Sequence, residues 1–505
     1  MPSPVVLDGE SLSLADVVAV ARDGAEVVID GTAAARALRS RAVIERAAAG
    51  NAPVYGVNTG FGKLSGVRIP GDQLLQLQRN LILSHCAGVG QPLPQAVVRA
   101  IMLLRANVLL KATSGARPLL AERLAELLNR GIHPIVPEQG SVGASGDLAP
   151  LSHVAQALLG DGEVEHAPSG GGPGRRVSAA VALAEAGLEP IVFQPKEGLS
   201  FINGTQAQSA MLGLLLHDAR VLWRNAHGAA AMSLEALRGT PVPFDPRIHE
   251  ARPHPGQQAS AALMRDLLTG SEIRESHRAD DPRVQDAYSL RCIPQVLGAV
   301  AEGLDFADRI LAVELNAATD NPLVFGDDLL SGGNFHGQPV ALALDLLAVV
   351  LTTLAGIAER RIEALVNPDL SQGLPPFLTP HAGLQSGFMM VQVTAAALAA
   401  ECRTLCTPAC VQSIPTDANQ EDYVPMGMAA AMKARRVLAN AQRVVAAELM
   451  CGAQGLEFLK PLAPGRGVAE VYRRVRALVL PLTADRPLTD DIERLAVLVA
   501  QEAVV

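Results

Sequence analysis

The sequence predicts a mainly helical protein, a large helical bundle with a small mixed region toward the N-terminus. Long segments repeat apolar residues at 3.6-residue intervals among strong helix formers. Strand-like runs are few and short. The chain is 49% hydrophobic and only 18% charged over 505 residues, enough apolar surface to build an extensive core.

From the N-terminus, "EVVID" (Glu26 to Asp30) reads as a short strand, and "LPQAVVRAIMLLRANVLLKA" (Leu93 to Ala112) and "PLLAERLAELLNRG" (Pro118 to Gly131) as helices. "APSGGGPGRR" (Ala167 to Arg176) is a Gly-rich loop topping a hairpin. Leu346 to Ala358 is the most apolar run. It reads as a helix buried on all sides, and its 13 residues between Asp345 and Glu359-Arg360-Arg361 fall short of the roughly 20 that a bilayer requires. "MAAAMKARRVLANAQRVVAAELMCGAQGLEFL" (Met428 to Leu459) predicts a long helix.

Charge and composition narrow the function. A net charge of -9, one Trp and four Tyr, with no Lys/Arg block, argue against nucleic-acid binding. "MPSPVVLDGESLSLADVV" has neither a basic region nor an apolar one, which points to a cytoplasmic protein and away from a secretory signal. Six cysteines in so long a chain do not form a disulfide framework. Cys402, Cys406 and Cys410 are interrupted by Pro408, and His249-Glu250 with His254 misses the H-E-x-x-H spacing, so no metal site is expected.

The stretch "QGSVGASGDLAPLSH" (Gln139 to His153) is small, Gly-rich and almost uncharged. A phosphate loop would need a following G-K-[ST]. A nucleophile elbow would need G-x-S-x-G, where this chain has Gly143-Ala144-Ser145-Gly146-Asp147. The third possibility uses the order Ala144-Ser145-Gly146 itself. In a tight bend the Gly146 amide nitrogen can attack the Ala144 carbonyl carbon and close a five-membered ring, the former carbonyl oxygen leaving as water. Loss of the Ser145 hydroxyl then leaves an exocyclic methylidene, an electrophile no standard side chain offers. Glycine at the attacking position removes steric obstruction, and Asp147 is expected to cap the helix that follows.

"GSVGASGDLAPLSH" resembles the signature of the histidine and aromatic amino-acid ammonia-lyase family, whose prosthetic group, methylidene-imidazolone, forms from an internal Ala-Ser-Gly. Similar segments follow in the family's order from residue 50 to about 460. "YGVNTGFG" resembles the loop that makes Tyr55 the base for the β-proton, which requires a phenol shifted from its ordinary pKa of about 10. Ser84-His85 in "RNLILSHCAGVG" resembles the pair of histidine-specific members and makes His85 a contact for the substrate ring. "KEGLSFINGTQ" carries Asn203, expected near the substrate carboxylate and the electrophile. "VQDAYSLRCIPQ" carries Gln285, Tyr288 and Arg291, spaced to share roughly one helix face, with Arg291 able to grip a carboxylate in two parallel hydrogen bonds. Phe335 in "SGGNFHGQPVA" packs beside the electrophile, Met389 in "QSGFMMVQVT" lines the ring pocket, and Glu421 in "NQEDYVPMG" suits an imidazole N–H. Each of these residues also has an ordinary structural explanation, as a buried packing, capping or salt-bridge residue.

The resemblance implies the ammonia-lyase/fumarase-like helical fold, with residues 1–200 carrying the Ala144-Ser145-Gly146 and Tyr55 loops and 201–505 forming the long-helix bundle. It implies a homotetramer, with each active site drawing residues from three subunits, a small amino-acid substrate, no membrane, and no external cofactor or metal. The implied reaction is elimination of ammonia from L-histidine to give trans-urocanate. A tyrosine or phenylalanine ammonia-lyase, an aminomutase and a non-catalytic helical scaffold are the alternatives. Histidine-specific relatives commonly read Gln-Glu-Asp-His-Val-Ser, and here Tyr423 and Pro425 replace the His and the Ser.

Overall fold

The computed structural model describes residues 2–166, 174–279, 281 and 283–501. Helices dominate, as the apolar periodicity predicts. The chain forms two compact units. The first comprises Met1–Leu214, Ala307–Asp345 and Pro408–Met432, and the second Leu215–Phe306, Leu346–Thr407 and Lys433–Val505.

At the centre of the first unit lies helix Gln95–Leu110, buried without a break from Val97 onward. Its polar residues survive there because each finds backbone partners. Arg99 donates to the carbonyls of Val20 and Leu128 at 2.9 and 3.1 Å, and Asn107 donates to that of Leu315 at 3.0 Å. Helix Leu119–Asn129 has the bounds its periodicity predicts, within two residues. The β structure is small: Val5–Leu7 pairs in parallel with Val27–Ile29, the expected short strand. Ile132–Pro134, Glu163–His166 and Arg175–Ser178 form an antiparallel three-stranded sheet. The last two are the flanks of the expected Gly-rich hairpin; residues 167–173 of that loop lie outside the described residues.

The second unit is built on long helices. Arg361 and Glu448 are fully buried and form a two-bonded ion pair at 2.5 and 2.8 Å, and Ser233 gives the same carboxylate a third bond. Such a pair holds its geometry because loss of either partner strands a charge in a dry core. Helix Gly427–Glu457 runs 31 residues, close to the segment read from sequence. Helix Met389–Leu405 buries only Val391, Ala395, Ala399 and Cys402 and leaves Met390 and Val393 open to solvent. Part of the apolar surplus therefore sits on the surface.

Two expectations need correction. The apolar run at Leu346 belongs to a 29-residue helix, Gln338–Val366, whose length and composition would suffice to cross a membrane. The flanking charges did not end the helix. Arg361 is absorbed by the ion pair with Glu448, and Asp345 accepts the Cys410 N–H at 2.7 Å. Nor is this helix buried on all sides: Leu342 is 49% and Val349 39% exposed.

Candidate active site

The Gly-rich stretch is a tight bend leading into helix Leu148–Leu158. Gly143 and Gly146 both take left-handed backbone angles, φ 75° and 78°, which L-residues with a Cβ rarely adopt. Gly146 also lies against the backbone of Gly204, with which it forms an isolated parallel bridge, and a Cβ there would overlap the Gly204 main chain. Three distant segments pin the bend. The Asp147 N–H donates to Gly204 O at 2.7 Å, the Gly337 N–H to Gly143 O at 3.2 Å, and the Met426 N–H to Val142 O at 2.8 Å.

Asp147 stands at the N-cap position, but its side chain does not cap its own helix. It turns inward and accepts from Ser141 Oγ at 2.8 Å and from the Gln208 N–H at 2.9 Å. These bonds tie the bend to helix Gln206–Ala236. Burial raises the Asp147 carboxyl to about 6, and its hydrogen bonds act against that rise.

Two adjoining hollows of about 520 and 450 Å³ open beside the bend and share Tyr55, Gly62, Ser145, Asn203, Asp417 and Glu421. Ser145 Oγ donates to Glu421 Oε1 across 276 residues of sequence, and Thr416 Oγ1 donates to Glu421 Oε2 at 2.6 Å. His85 ends helix Leu74–His85 and lines the larger hollow with Ser84, Leu148 and Leu199. Its Nδ1 lies 2.8 Å from the Leu81 carbonyl, so Nδ1 carries the proton and Nε2 is left as an acceptor. Burial lowers the His85 pKa, with the Leu81 carbonyl and the Glu421 charge opposing. The Tyr55 hydroxyl accepts the Gly62 N–H at 3.3 Å. Burial pushes this phenol up, Asp417, Glu421 and Asp320 add to the rise, and only the Gly62 bond opposes it. The shift runs against the direction that eases a base, because the charges that act on the phenol, those of Asp417, Glu421 and Asp320, are negative. Phe335 lines the smaller hollow with Ala144, His336 and Tyr423.

Asn203 follows helix Glu197–Ile202 as its C-cap. Its side-chain oxygen is buried without a hydrogen-bond partner among the described residues, and its carbonyl accepts from buried Arg105 at 2.9 Å. Lys196 closes the layer behind, donating to Ser114 O, Ser200 Oγ and Asp320 Oδ2 at 2.9, 2.8 and 2.7 Å.

The first unit thus brings together Tyr55, His85, Ala144, Ser145, Gly146, Asn203, Phe335 and Glu421. Gln285, Tyr288, Arg291 and Met389 belong to the second unit. The helix there is only Tyr288–Arg291, so Gln285 lies in the bend before it and the expected common face is absent. Arg291 lies over the Tyr288 ring at 4.5 Å, and its buried Nε has no hydrogen-bond partner among the described residues. With Gln285 it lines a hollow of about 350 Å³. Met389 begins helix Met389–Leu405 and is 37% exposed. Thr416 and Asp417 escaped the sequence analysis although they lie within five residues of Glu421, because nothing local announces a turn that folds back on the Tyr55 loop.

A chain of this fold, with an Ala-Ser-Gly bend set among a tyrosine, a histidine and a carboxylate, belongs to the aromatic amino acid lyase family, whose model matches residues 12–477. Among its relatives, the histidine ammonia-lyase of Anaeromyxobacter dehalogenans (strain 2CP-C) is 54% identical over 99% of each chain. That of Myxococcus xanthus (strain DK1622) is 51% identical over 98% of this chain and 96% of its own. Of solved structures, histidine ammonia-lyase from Trypanosoma cruzi superposes with a TM-score of 0.91 at 43% identity, covering 100% of this chain and 94% of that one. Tyrosine aminomutase from Streptomyces globisporus does so with a TM-score of 0.93 at 41% identity, covering 99% and 97%.

Proposed function

We propose that this protein is a carbon–nitrogen lyase that removes ammonia from L-histidine and releases trans-urocanate. The observation that carries the choice of substrate is the set of acceptors around the hollows: His85 Nε2 is left to accept, and Glu421 Oε1 becomes free once Ser145 loses its hydroxyl, with Thr416 remaining on Oε2. An imidazole N–H can replace the Ser145 hydroxyl that ring closure removes from Glu421 Oε1, whereas the ring of phenylalanine would leave that half-buried oxygen without a donor. The identity to histidine ammonia-lyases over nearly the whole chain supports the same conclusion.

The bend fits a methylidene-imidazolone formed from Ala144, Ser145 and Gly146. Gly146 sits where no Cβ can, Ala144 is buried, and Asn203, whose side-chain oxygen finds no partner among the described residues, lines the same hollow as Ser145. The group would supply an electrophile that turns the substrate amine into a better leaving group. Around it, Asn203 and Arg291 hold the carboxylate, His85 and Glu421 fix the ring, Phe335 and Met389 pack against substrate or electrophile, and Gln285 and Tyr288 complete the polar wall. Tyr55 takes the β-proton. Because its neighbours push the phenol up, the phenolate is a minor species at neutral pH, so kcat/KM should climb with pH through its titration.

Gln285, Tyr288, Arg291 and Met389 are supplied to this site by other copies in a homotetramer, which also covers the open face of helix Met389–Leu405. The enzyme works in the cytoplasm, on a small amino acid, without external cofactor or metal. Incubation with histidine, tyrosine and phenylalanine, following the absorbance of each conjugated acid, tests the substrate; product from either of the others but none from histidine rejects it. Intact mass tests the electrophile, since its formation removes two waters from the encoded chain.

A further inference from the structure

We infer that Asp417 is a positioning residue for this reaction: its carboxylate ties the Tyr55 loop to the Glu421 turn and sets the phenol where the proton is taken. The inference rests on the reading of Tyr55 as the base.

The tie is continuous. Asp417 Oδ2 accepts the Lys63 N–H at 2.9 Å across 354 residues of sequence, which holds the short helical turn Gly62–Leu64. Gly62 must be glycine there: its φ is 53°, and a Cβ would strike the Asp417 carboxylate. The Gly62 N–H in turn donates to the Tyr55 hydroxyl. A carboxylate, a backbone turn and a phenol are therefore linked in series. On its other side Asp417 opens a run of three left-handed residues, φ 47°, 51° and 65° at Asp417, Ala418 and Asn419. The run is closed by Thr416 N–H to Glu421 O at 2.9 Å and by the Thr416 hydroxyl on the Glu421 carboxylate. Left-handed backbone is unfavourable for residues with a Cβ and persists where surrounding bonds over-determine it. This turn is thus held from both ends, and it carries Asp417 and Glu421 together.

The tie also fixes a charge. The titratable groups around the phenol are Asp417, Glu421, Asp422 and Tyr423 from the turn and its continuation, Asp320, His85 and His336 from the walls, and Lys63 on the phenol's own loop. Asp417 is the member that both holds the loop and disfavours the phenolate. Two variants separate these effects. Asp417→Asn keeps an oxygen to accept the Lys63 N–H and removes the charge; Asp417→Ala removes both.

Both variants would be purified as full-length enzyme and checked for the intact-mass deficit, which neither should change. Asp417→Ala is expected to lower kcat with histidine roughly 10- to 100-fold, the usual cost of a misplaced reacting group, and to speed hydrogen exchange across residues 62–64. Asp417→Asn is expected to stay within a few-fold of the parent kcat, with slow exchange retained and the acid limb of kcat/KM moved to lower pH. Unchanged kcat and unchanged exchange in Asp417→Ala overturn the inference. So does an acid limb that stays in place in Asp417→Asn. The exchange measurement reads the tie without turnover, whereas full turnover by Tyr55→Phe would remove the base reading beneath it.

Discussion

Replacing Gly146 by alanine probes the bend at its tightest point. The new Cβ would enter a left-handed backbone position, φ 78°, and overlap the main chain of Gly204. The left-handed conformation costs an alanine about 1–2 kcal/mol. Forcing a methyl into a packed site costs about 1–3 kcal/mol more. Gly204 cannot retreat, because its own Cβ position is crowded by Arg105, Gln206 and the Thr319 carbonyl and its carbonyl is held by the Asp147 N–H. The sum, about 2–5 kcal/mol, is a sizeable part of a typical 5–15 kcal/mol stability, so the variant should fold but unfold at distinctly lower denaturant. Gly31→Ala is the control, since no atom of the described residues lies within 4 Å of its Cβ position; it should stay within about 0.5 kcal/mol. Denaturation midpoints at one protein concentration, with intact mass on the same samples, make the assay. The alanine variant should weigh what its sequence encodes. A parent-like midpoint together with a two-water deficit would refute the close approach and the part assigned to Gly146.

Glu421→Gln exchanges a charge-assisted acceptor for a neutral amide, and kcat/KM for histidine should fall about 10- to 100-fold, in line with the 1.5–3 kcal/mol of such bonds; undiminished urocanate formation would exclude Glu421 from ring recognition. Tyr55→Phe should reduce kcat about 10²- to 10⁴-fold with the mass deficit intact, read by steady-state kinetics. In the second unit, burial raises Glu235 to about 7 while both its oxygens receive the Gly465 N–H at 3.0 and 3.1 Å. The folded state therefore holds this proton more tightly than the unfolded chain between pH 4.5 and 7. The contribution to stability is whole below pH 4.5 and is lost as pH rises through 7, about 3 kcal/mol in all. Glu235→Gln should flatten that part of the pH–stability curve, and an unaltered slope would show that Glu235 does not titrate there.

Most of the site's vocabulary is legible in local sequence. Ala144-Ser145-Gly146, Tyr55, His85, Asn203 and Glu421 sit in short motifs because each one's chemistry depends on its immediate neighbours: glycines for the bend, Ser84 beside His85, Gly62 within reach of the Tyr55 hydroxyl. The helices are legible for a similar reason, since apolar periodicity is a local property of the chain. Gln285 marks the limit: residues at i, i+3 and i+6 share a face only if the helix extends that far, and here it begins at Tyr288. Asp147 marks another, because a side chain at an N-cap position can find better partners in Ser141 and Gln208 once the chain is folded.

Sequence alone determined which residues carry reactive or hydrogen-bonding groups and which segments wind into helices, both of which follow from side-chain chemistry and short-range backbone preference. Only the tertiary structure decided that Glu421 meets Ser145, that Asp417 holds the Lys63 amide, that a 29-residue helix absorbs its own charges through Cys410 and Glu448, and that the Tyr55 phenol is pushed up. Those facts depend on burial and on partners tens to hundreds of residues away. The energy of a charge or a hydrogen bond is set by what surrounds it in space, which no short window of sequence contains.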